Sequence, residues 1–327
     1  MRYAVISDIH GNLPALDAVV EDAERNHTDG FLFAGDYCLG NPYPDGCIAR
    51  MRALAEQYAF YAVRGNQEAY FERMPEDESA RTDGNGQIIY WCHKNIVPEN
   101  LEFLLKLPNQ LRFQCQARSV YMTHSSADFI ADSEHRKWSP SKLLKRYGGS
   151  FVPPEELKKD IGDYFQTDRQ FRERLAELPE GIYIFGHSHI QWNYMSEDCK
   201  KVLINPGACG LPVDCVKEGI PYTMLEITDT GEVNLEEKRV PFDMDGYLAM
   251  FRKSVQFREV PVWSRLIMKQ LETRKEYISL FLQYMEEYAG KTGETQRPFP
   301  LPLWEKGFGL WYRAVFGEDA ALGNSGV

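Results

Sequence analysis

The chain has 327 residues, 37 of them basic and 48 acidic, for a formal net charge of -11 at pH 7. That length suits one large domain with an appendage, and the acidic balance disfavours a generalised nucleic-acid or anionic-membrane binder. No apolar run of about 18 residues and no signal peptide are visible, and the seven cysteines lack C-x-x-C spacing; a cytoplasmic protein with reduced thiols and no membrane span is expected. A phosphate-bearing substrate stays open, because bound cations reverse the local field.

The first expected element is a strand through Val5-Ile6 that runs into Ser7-Asp8-Ile9-His10-Gly11-Asn12. Alternation along a strand would place Asp8 and His10 on one side, a carboxylate and an imidazole suited to a divalent metal. Asn12 then caps a helix with Pro14 in its first turn, and Leu13, Leu16, Val19 and Val20 share a face through Glu24. A second apolar run, Phe31-Leu32-Phe33, ends at Gly35-Asp36, giving a strand–helix–strand unit with parallel strands. The loop from Tyr37 to Gly46 passes close to these residues, and a helix over 45–57 leads to a third run ending at Gly65-Asn66.

Residues 75–87 read as a surface loop, and helices are expected over 86–96 and 98–106. Residues 110–124 read as two strands turned at Gln116-Ala117-Arg118 and ending at His124. The stretch 125–178 is polar, helical in pieces, and placed where a specificity insertion would fall. A fifth run, Ile182 to Phe185, ends at Gly186-His187-Ser188-His189. Short strands follow near 191–196, 201–205, 221–228 and 232–240, with a hairpin turn at Thr228-Asp229-Thr230-Gly231. Beyond Val240 the periodicity becomes helical over 244–257 and 260–289, and again over 303–316 after a break rich in Pro and Gly. These apolar stripes read as core that packs on the rest of the chain or on a second copy.

Five apolar runs thus stop at ligand-type residues, in the order D-x-H, GD, GN, H and GHSH. In open α/β sheets, ligands bind at the carboxyl ends of strands, so the series marks a site. Four of the seven histidines belong to it; His27, His93 and His135 read as surface or packing residues. Cys38 and Cys209, although near the motifs, read as small buried residues.

On these motifs the chain resembles the calcineurin-like metallophosphoesterase superfamily over residues 1–240. Asn205-Pro206-Gly207-Ala208-Cys209-Gly210-Leu211-Pro212 resembles a motif of its small bacterial branch, with Ala208 in place of the usual Ser. Within that branch the chain looks most like the asymmetrical diadenosine tetraphosphate hydrolases. The resemblance implies an α/β fold, a two-sheet β-sandwich flanked by helices, with a helical C-terminal extension over 241–327. It assigns Asp8, His10 and His189 to one divalent ion and Asn66, His124 and His187 to another, with Asp36 bridging both. Mixed nitrogen and oxygen donors suit Mn, Fe, Zn or Ni, with Mn or Fe favoured. The implied nucleophile is a metal-bridging hydroxide attacking phosphorus in line.

The family commonly has G-N-H-[DE], whose histidine is proposed to protonate the leaving oxygen; this chain has Gly65-Asn66-Gln67-Glu68. Gln67 donates a hydrogen bond but cannot serve as a general acid. A good leaving group follows as the expectation: a nucleotide phosphoanhydride such as a dinucleoside polyphosphate. The Asp-Arg pair of the family's protein phosphatases is missing after Asp36, which disfavours phosphoproteins. Asn12 and Arg64 flank the ligands as candidate phosphate contacts, with a structural salt bridge the alternative for Arg64. Lys137, Lys142, Lys145 and Arg146 beside Trp138 are either a base-and-phosphate surface or a solvated helical face. Rival functions are a broad phosphodiesterase for small diesters and a metal-bound scaffold with little activity. The C-terminal helices either cover the site or pair into a homo-oligomer.

Overall fold

The computed structural model describes residues 1–72, 84, 86–131, 134, 137–148 and 150–317. Most of the loop expected over 75–87, and His135, lie outside the described residues. The strands are β1 (Arg2–Ile6), β2 (Gly30–Phe33), β3 (Ala59–Ala62), β4 (Gln110–Cys115), β5 (Arg118–Thr123), β6 (Gly181–Ile184), β7 (Gln191–Met195), β8 (Lys201–Pro206), β9 (Ile220–Ile227) and β10 (Val233–Val240). Helices α1 (Leu13–Arg25), α2 (Pro44–Gln57), α3 (Glu68–Phe71), α4 (Gln87–Lys94) and α5 (Pro98–Lys106) lie between the first strands. The segment between β5 and β6 holds α6 (Ala127–Ile130), α7 (Pro140–Tyr147), α8 (Pro154–Thr167) and α9 (Arg169–Glu177). The chain then closes on α10 (Met244–Phe251), α11 (Val255–Glu259), α12 (Pro261–Thr273), α13 (Ile278–Thr292) and α14 (Leu301–Phe316).

Two five-stranded mixed sheets form, in the orders β10-β9-β1-β2-β3 and β4-β5-β6-β8-β7. Strands β1, β2 and β3 are mutually parallel, as are β5, β6 and β8. Their carboxyl ends therefore gather along one edge of each sheet. The period of two divides each strand between two cores. Tyr3, Val5 and Leu32 join Val120, Met122, Ile182 and Ile184 between the sheets. Ala4, Ile6, Phe31 and Phe33 face outward against Leu16, Val19, Ile48 and Met51 of α1 and α2. On the outer side of the second sheet, Tyr183, Leu203 and Trp192 pack with Leu157, Ile161 and Phe165 of α8. The architecture is thus two sheets flanked by helices. Asn12 caps α1 by accepting from the Ala15 amide at 3.2 Å, with Pro14 in the first turn.

The C-terminal helices are more broken than their periodicity implies. The helix expected over 244–257 divides into α10 and α11, because Ser254 Oγ accepts from the Phe257 amide and starts a new helix. The helix expected over 260–289 divides where Arg274 turns left-handed (φ 57°). There Gln270 Oε1 accepts from the amides of Tyr277 and Ile278 at 2.8 and 3.0 Å. The apolar stripe continues through both breaks, so periodicity alone cannot reveal them; local capping does. Leu211 and Val213 pack against Tyr247, Leu248, Phe251, Ile267 and Leu271, so the first helices of this segment sit directly on the strand-bearing part of the chain. No helix among the described residues is long and apolar enough to cross a membrane.

Candidate metal centre

The loops leaving β1, β2, β3, β5 and β6 bring the motif residues together. Asp8, His10 and His189 form one group, and Asp36, His124 and His187 another, each with its ligand atoms within 4.8 Å of one another. Asn66 Oδ1 lies 3.1 Å from His124 Nε2, on the second group. In the first, His189 Nε2 is 3.3 Å from Asp8 Oδ1 and 3.1 Å from His10 Nε2. In the second, His124 Nε2 is 3.3 Å from Asp36 Oδ2.

The local geometry differs from the strand alternation expected for Asp8 and His10. Strand β1 ends at Ile6, and both residues are left-handed, with φ of 53° and 50°. Asp36, His187 and His189 are left-handed too, at 57°, 69° and 59°. Asp and His tolerate this conformation better than most side chains, but for any residue other than Gly it is still uncommon, costs on the order of 1 kcal/mol, and persists where surroundings impose it. Here the loops impose it on one another. The Asp8 amide donates to Gly35 O and the His10 amide to Asp36 O, each at 3.0 Å. The His187 amide donates to Asp8 Oδ2 at 3.0 Å, and the Gly210 amide to Asp8 O at 2.9 Å. A methyl on Gly186 would overlap Ser7 Oγ and come to 2.5 Å from Asp8 Oδ2, which explains the glycine before His187.

The donors fit a pair of cations. His10 Nδ1 faces Leu39 O at 2.7 Å, His124 Nδ1 faces Ala34 O at 2.7 Å, and His189 Nδ1 faces Leu211 O at 2.8 Å. A carbonyl only accepts, so each ring carries its proton on Nδ1 and turns Nε2 into the site. The Nε2 lone pairs of His10 and His189 then oppose each other at 3.1 Å unless a proton or cation lies between them. Asp8 Oδ1 is buried without a hydrogen-bond partner beside them. Such an arrangement is what a ligand set looks like.

The electrostatics agree. Burial favours the neutral Asp8 carboxyl, yet His189 and His10 hold it well below the usual carboxylate range. Burial opposes charge on His124, but the carboxylates of Asp36 and Asp8 push it up to about 10. The site thus recruits positive charge from its own imidazoles. A cation must displace that proton, since Nε2 ligates only when unprotonated. Because the His124 pKa is raised, the proton competes throughout the neutral range and less as pH climbs. Titration of the metal-free chain with Mn2+ is therefore expected to release protons. Its apparent affinity should rise from about pH 6 to pH 8; a pH-independent Kd would contradict this.

Other residues singled out in the sequence sit differently. Asn12 is fully buried, its Nδ2 donating to Gly210 O at 3.0 Å and its Oδ1 capping α1. Arg64 pairs with Glu72, and its amide donates to Pro108 O at 2.8 Å. Gln67 is half-buried beside the second group, its amide donating to Asp36 Oδ1 at 3.0 Å. Trp138 is not a stacking surface: it is core, 1 % exposed, with Arg146 4.8 Å over its ring. Arg146 also pairs with Asp160 at 2.6 Å, and Lys137 lies 4.9 Å over the Tyr164 ring, so these cations serve packing. Cys38 and Cys209 are buried, and burial pushes both thiols up.

Two buried acids behind the ligands were not singled out. Glu68 accepts from the amides of Gly65, Asp36 and Tyr37 at 2.7, 3.0 and 2.8 Å, tying the second and third loops together. Burial and the Asp36 carboxylate raise it to about 7, against those donors. Its place after Gly65-Asn66 was visible, but not that its carboxylate turns to the backbone. Glu134 bonds Ser188 Oγ, Trp192 Nε1 at 2.7 Å and Asn205 Nδ2 at 3.1 Å, supporting the loop between His187 and His189. Fifty-four residues separate it from Ser188, and no local pattern signals the contact.

Residues 1–230 match the calcineurin-like phosphoesterase superfamily domain, and the chain belongs to that superfamily. It is a metal-dependent phosphohydrolase by class, with two candidate cation-binding groups and phosphate esters as substrates. An uncharacterised protein of Methanocaldococcus jannaschii is 28% identical over 275 residues, covering 80% of this chain and 94% of that one. A crystallised metallophosphoesterase from Sphaerobacter thermophilus is 22% identical, covers 84% of this chain and 100% of its own, and has a TM-score of 0.52. A hypothetical protein from Pyrococcus horikoshii is 15% identical over 84% of this chain and 99% of its own, with a TM-score of 0.56. These two share the fold.

Proposed function

We propose that this phosphohydrolase cleaves a nucleotide phosphoanhydride, with a dinucleoside polyphosphate as the leading candidate. The observation that carries this reading is Gln67, next to Asn66 at the second ligand group. When bound, two divalent cations, Mn or Fe by preference, supply Lewis acidity and the lowered water pKa that in-line displacement at phosphorus needs. Asp8, His10 and His189 would hold one cation and Asn66, His124 and His187 the other, with Asp36 shared between them. The chain's own task is then to fix the phosphorus and manage the leaving oxygen. Gln67 offers an amide hydrogen bond there but no transferable proton. Glu68, the neighbouring carboxyl, is turned away onto three backbone amides and does not take over. An alkoxide leaving group would lack protonation and lose roughly 10²–10⁴-fold, whereas a phosphate leaving from an anhydride needs none. In this reading residues 1–240 carry the chemistry and the helices of the 241–327 extension, α10 to α14, cover it.

The test is hydrolysis by the manganese-loaded chain of diadenosine tetraphosphate, a bis-aryl phosphodiester and an alkyl phosphomonoester, with products resolved by chromatography. Fast anhydride cleavage supports the reading; turnover of the diester alone transfers it to a phosphodiesterase. No turnover with both cations bound would leave a scaffold. Gln67→His gives an independent check. Alkyl ester hydrolysis is expected to rise about 10²-fold, with anhydride hydrolysis nearly unchanged. An unaltered alkyl ester rate in that variant would remove the argument from Gln67.

A further inference from the structure

The C-terminal helices grip one loop of the candidate metal centre, the stretch Leu39-Gly40-Asn41 that follows β2. Gln256 Nε2 of α11 donates to Gly40 O at 2.6 Å, and Tyr247 Oη of α10 donates to Asn41 Oδ1 at 2.9 Å. Tyr247, Gln256 and Asn41 are all buried. A methyl on Gly40 would lie 3.2 Å from His10 Cβ and 3.7 Å from Ile267 Cδ1 of α12, so the loop is sandwiched between the ligand and the helices.

The same loop holds His10 by both ring and backbone. Leu39 O faces the ring at Nδ1, 2.7 Å away. Asn41 donates twice to His10 O, from its backbone amide at 2.7 Å and from Nδ2 at 3.0 Å. Its Nδ2 also donates to Gly210 O at 3.2 Å, and the Gly210 amide in turn donates to Asp8 O at 2.9 Å. An amide nitrogen committed to two carbonyls cannot trade places with its oxygen, so Oδ1 is left facing the Tyr247 hydroxyl. His10 keeps its left-handed backbone, φ 50°, because neighbours over-determine it, and Asn41 is one of them. Tyr247 secures Asn41 from a helix beyond residues 1–230, the part matched to the superfamily domain.

We propose that Tyr247 is a positioning residue: acting through Asn41, it holds the His10 backbone where Nε2 is presented to a divalent cation, and so raises the affinity of the Asp8, His10 and His189 half-site. This rests on the two-cation reading above. The second group is aimed by other contacts, His124 by Ala34 O and the Asp36 backbone by Glu68. Loosening Asn41 therefore weakens one half-site and spares the other. That selectivity separates positioning from a general loss of stability.

The experiment is calorimetric titration of the metal-free full-length chain with Mn2+, comparing the native protein with Tyr247→Phe, Asn41→Ala, the double variant and Tyr183→Phe. Phenylalanine keeps the ring contacts of Tyr247 with Phe242 and Phe251 and removes only the hydroxyl. His10→Ala, which deletes a ligand, identifies the binding event that belongs to this half-site. That event is expected to weaken about ten-fold in Tyr247→Phe, with the other unchanged. Asn41→Ala should weaken it at least as much, and adding Tyr247→Phe to Asn41→Ala should change nothing further, because the hydroxyl then has no amide to act through. Tyr183→Phe removes a comparable bond, Oη to Pro179 O at 2.6 Å, at the amino end of β6, and should leave both events intact. Unchanged affinities in Tyr247→Phe overturn the proposal. Equal weakening of both events does so too, since it marks a general structural loss, as does full additivity in the double variant. If Asn41→Ala does not fold, the contrast between the two events in Tyr247→Phe decides alone. A native chain that fails to bind two ions would instead overturn the two-cation reading beneath it.

Discussion

An Asp36→Asn variant is expected to bind cations at reduced stoichiometry and to lose about 10³-fold in hydrolysis of any phosphate substrate. The magnitude follows from several kcal/mol of charge stabilisation supplied through the cations, at 1.36 kcal/mol per factor of ten. Asp36 faces His124 Nε2 at 3.3 Å through Oδ2, while its Oδ1 accepts from the Gln67 amide. It also acts on His10 across the site. Asparagine keeps the acceptor for that amide but removes the charge that both groups feel. The fold should therefore survive while the site fails. Metal content per chain and steady-state rates read the two effects separately. A variant with full activity and two bound ions would exclude Asp36 from the ligand set.

Glu68→Ala should show the opposite pattern, a loss of stability before any loss of chemistry. Alanine leaves three buried amides, those of Asp36, Tyr37 and Gly65, without their acceptor. At ~1–3 kcal/mol for each unsatisfied donor, with partial relaxation, the cost is about 4 kcal/mol. Thermal unfolding of the metal-free chain by circular dichroism should fall by about 10 °C, at roughly 2–4 °C per kcal/mol for larger domains. Glu68→Gln retains one acceptor oxygen and should lose about half as much. An unchanged unfolding temperature in Glu68→Ala would show that water or a loop shift replaces the carboxylate.

Much of the site was legible because each motif closes a strand, and strands announce themselves by short apolar runs. The order D-x-H, GD, GN, H, GHSH placed these residues at the ends of parallel strands, where the structure gathers Asp8, His10 and His189 in one group and Asp36, His124 and His187 in another, with Asn66 beside His124. The backbone that presents them was not legible. Asp8 and His10 are presented by two left-handed residues rather than a pleat, and although Asp and His enter that conformation more readily than most side chains, it stays uncommon enough that propensity does not signal it. The fate of Trp138 was equally hidden, because an aromatic beside cations reads alike whether it faces solvent or core.

The chain's own pattern determined the residue types at the strand ends and the alternation that builds two sheets. It also determined the glycines where loops approach too closely for a side chain. These are local matters: a period of two, a cap, a space without a Cβ. Only the tertiary structure decided that Glu68 turns to the backbone and that the C-terminal helices break at Ser254 and Arg274. Each of those depends on partners about thirty residues away or on side-chain caps that leave the apolar period intact. Hydrogen-bond satisfaction in a buried edge is a property of the assembled fold, and periodicity carries no record of it.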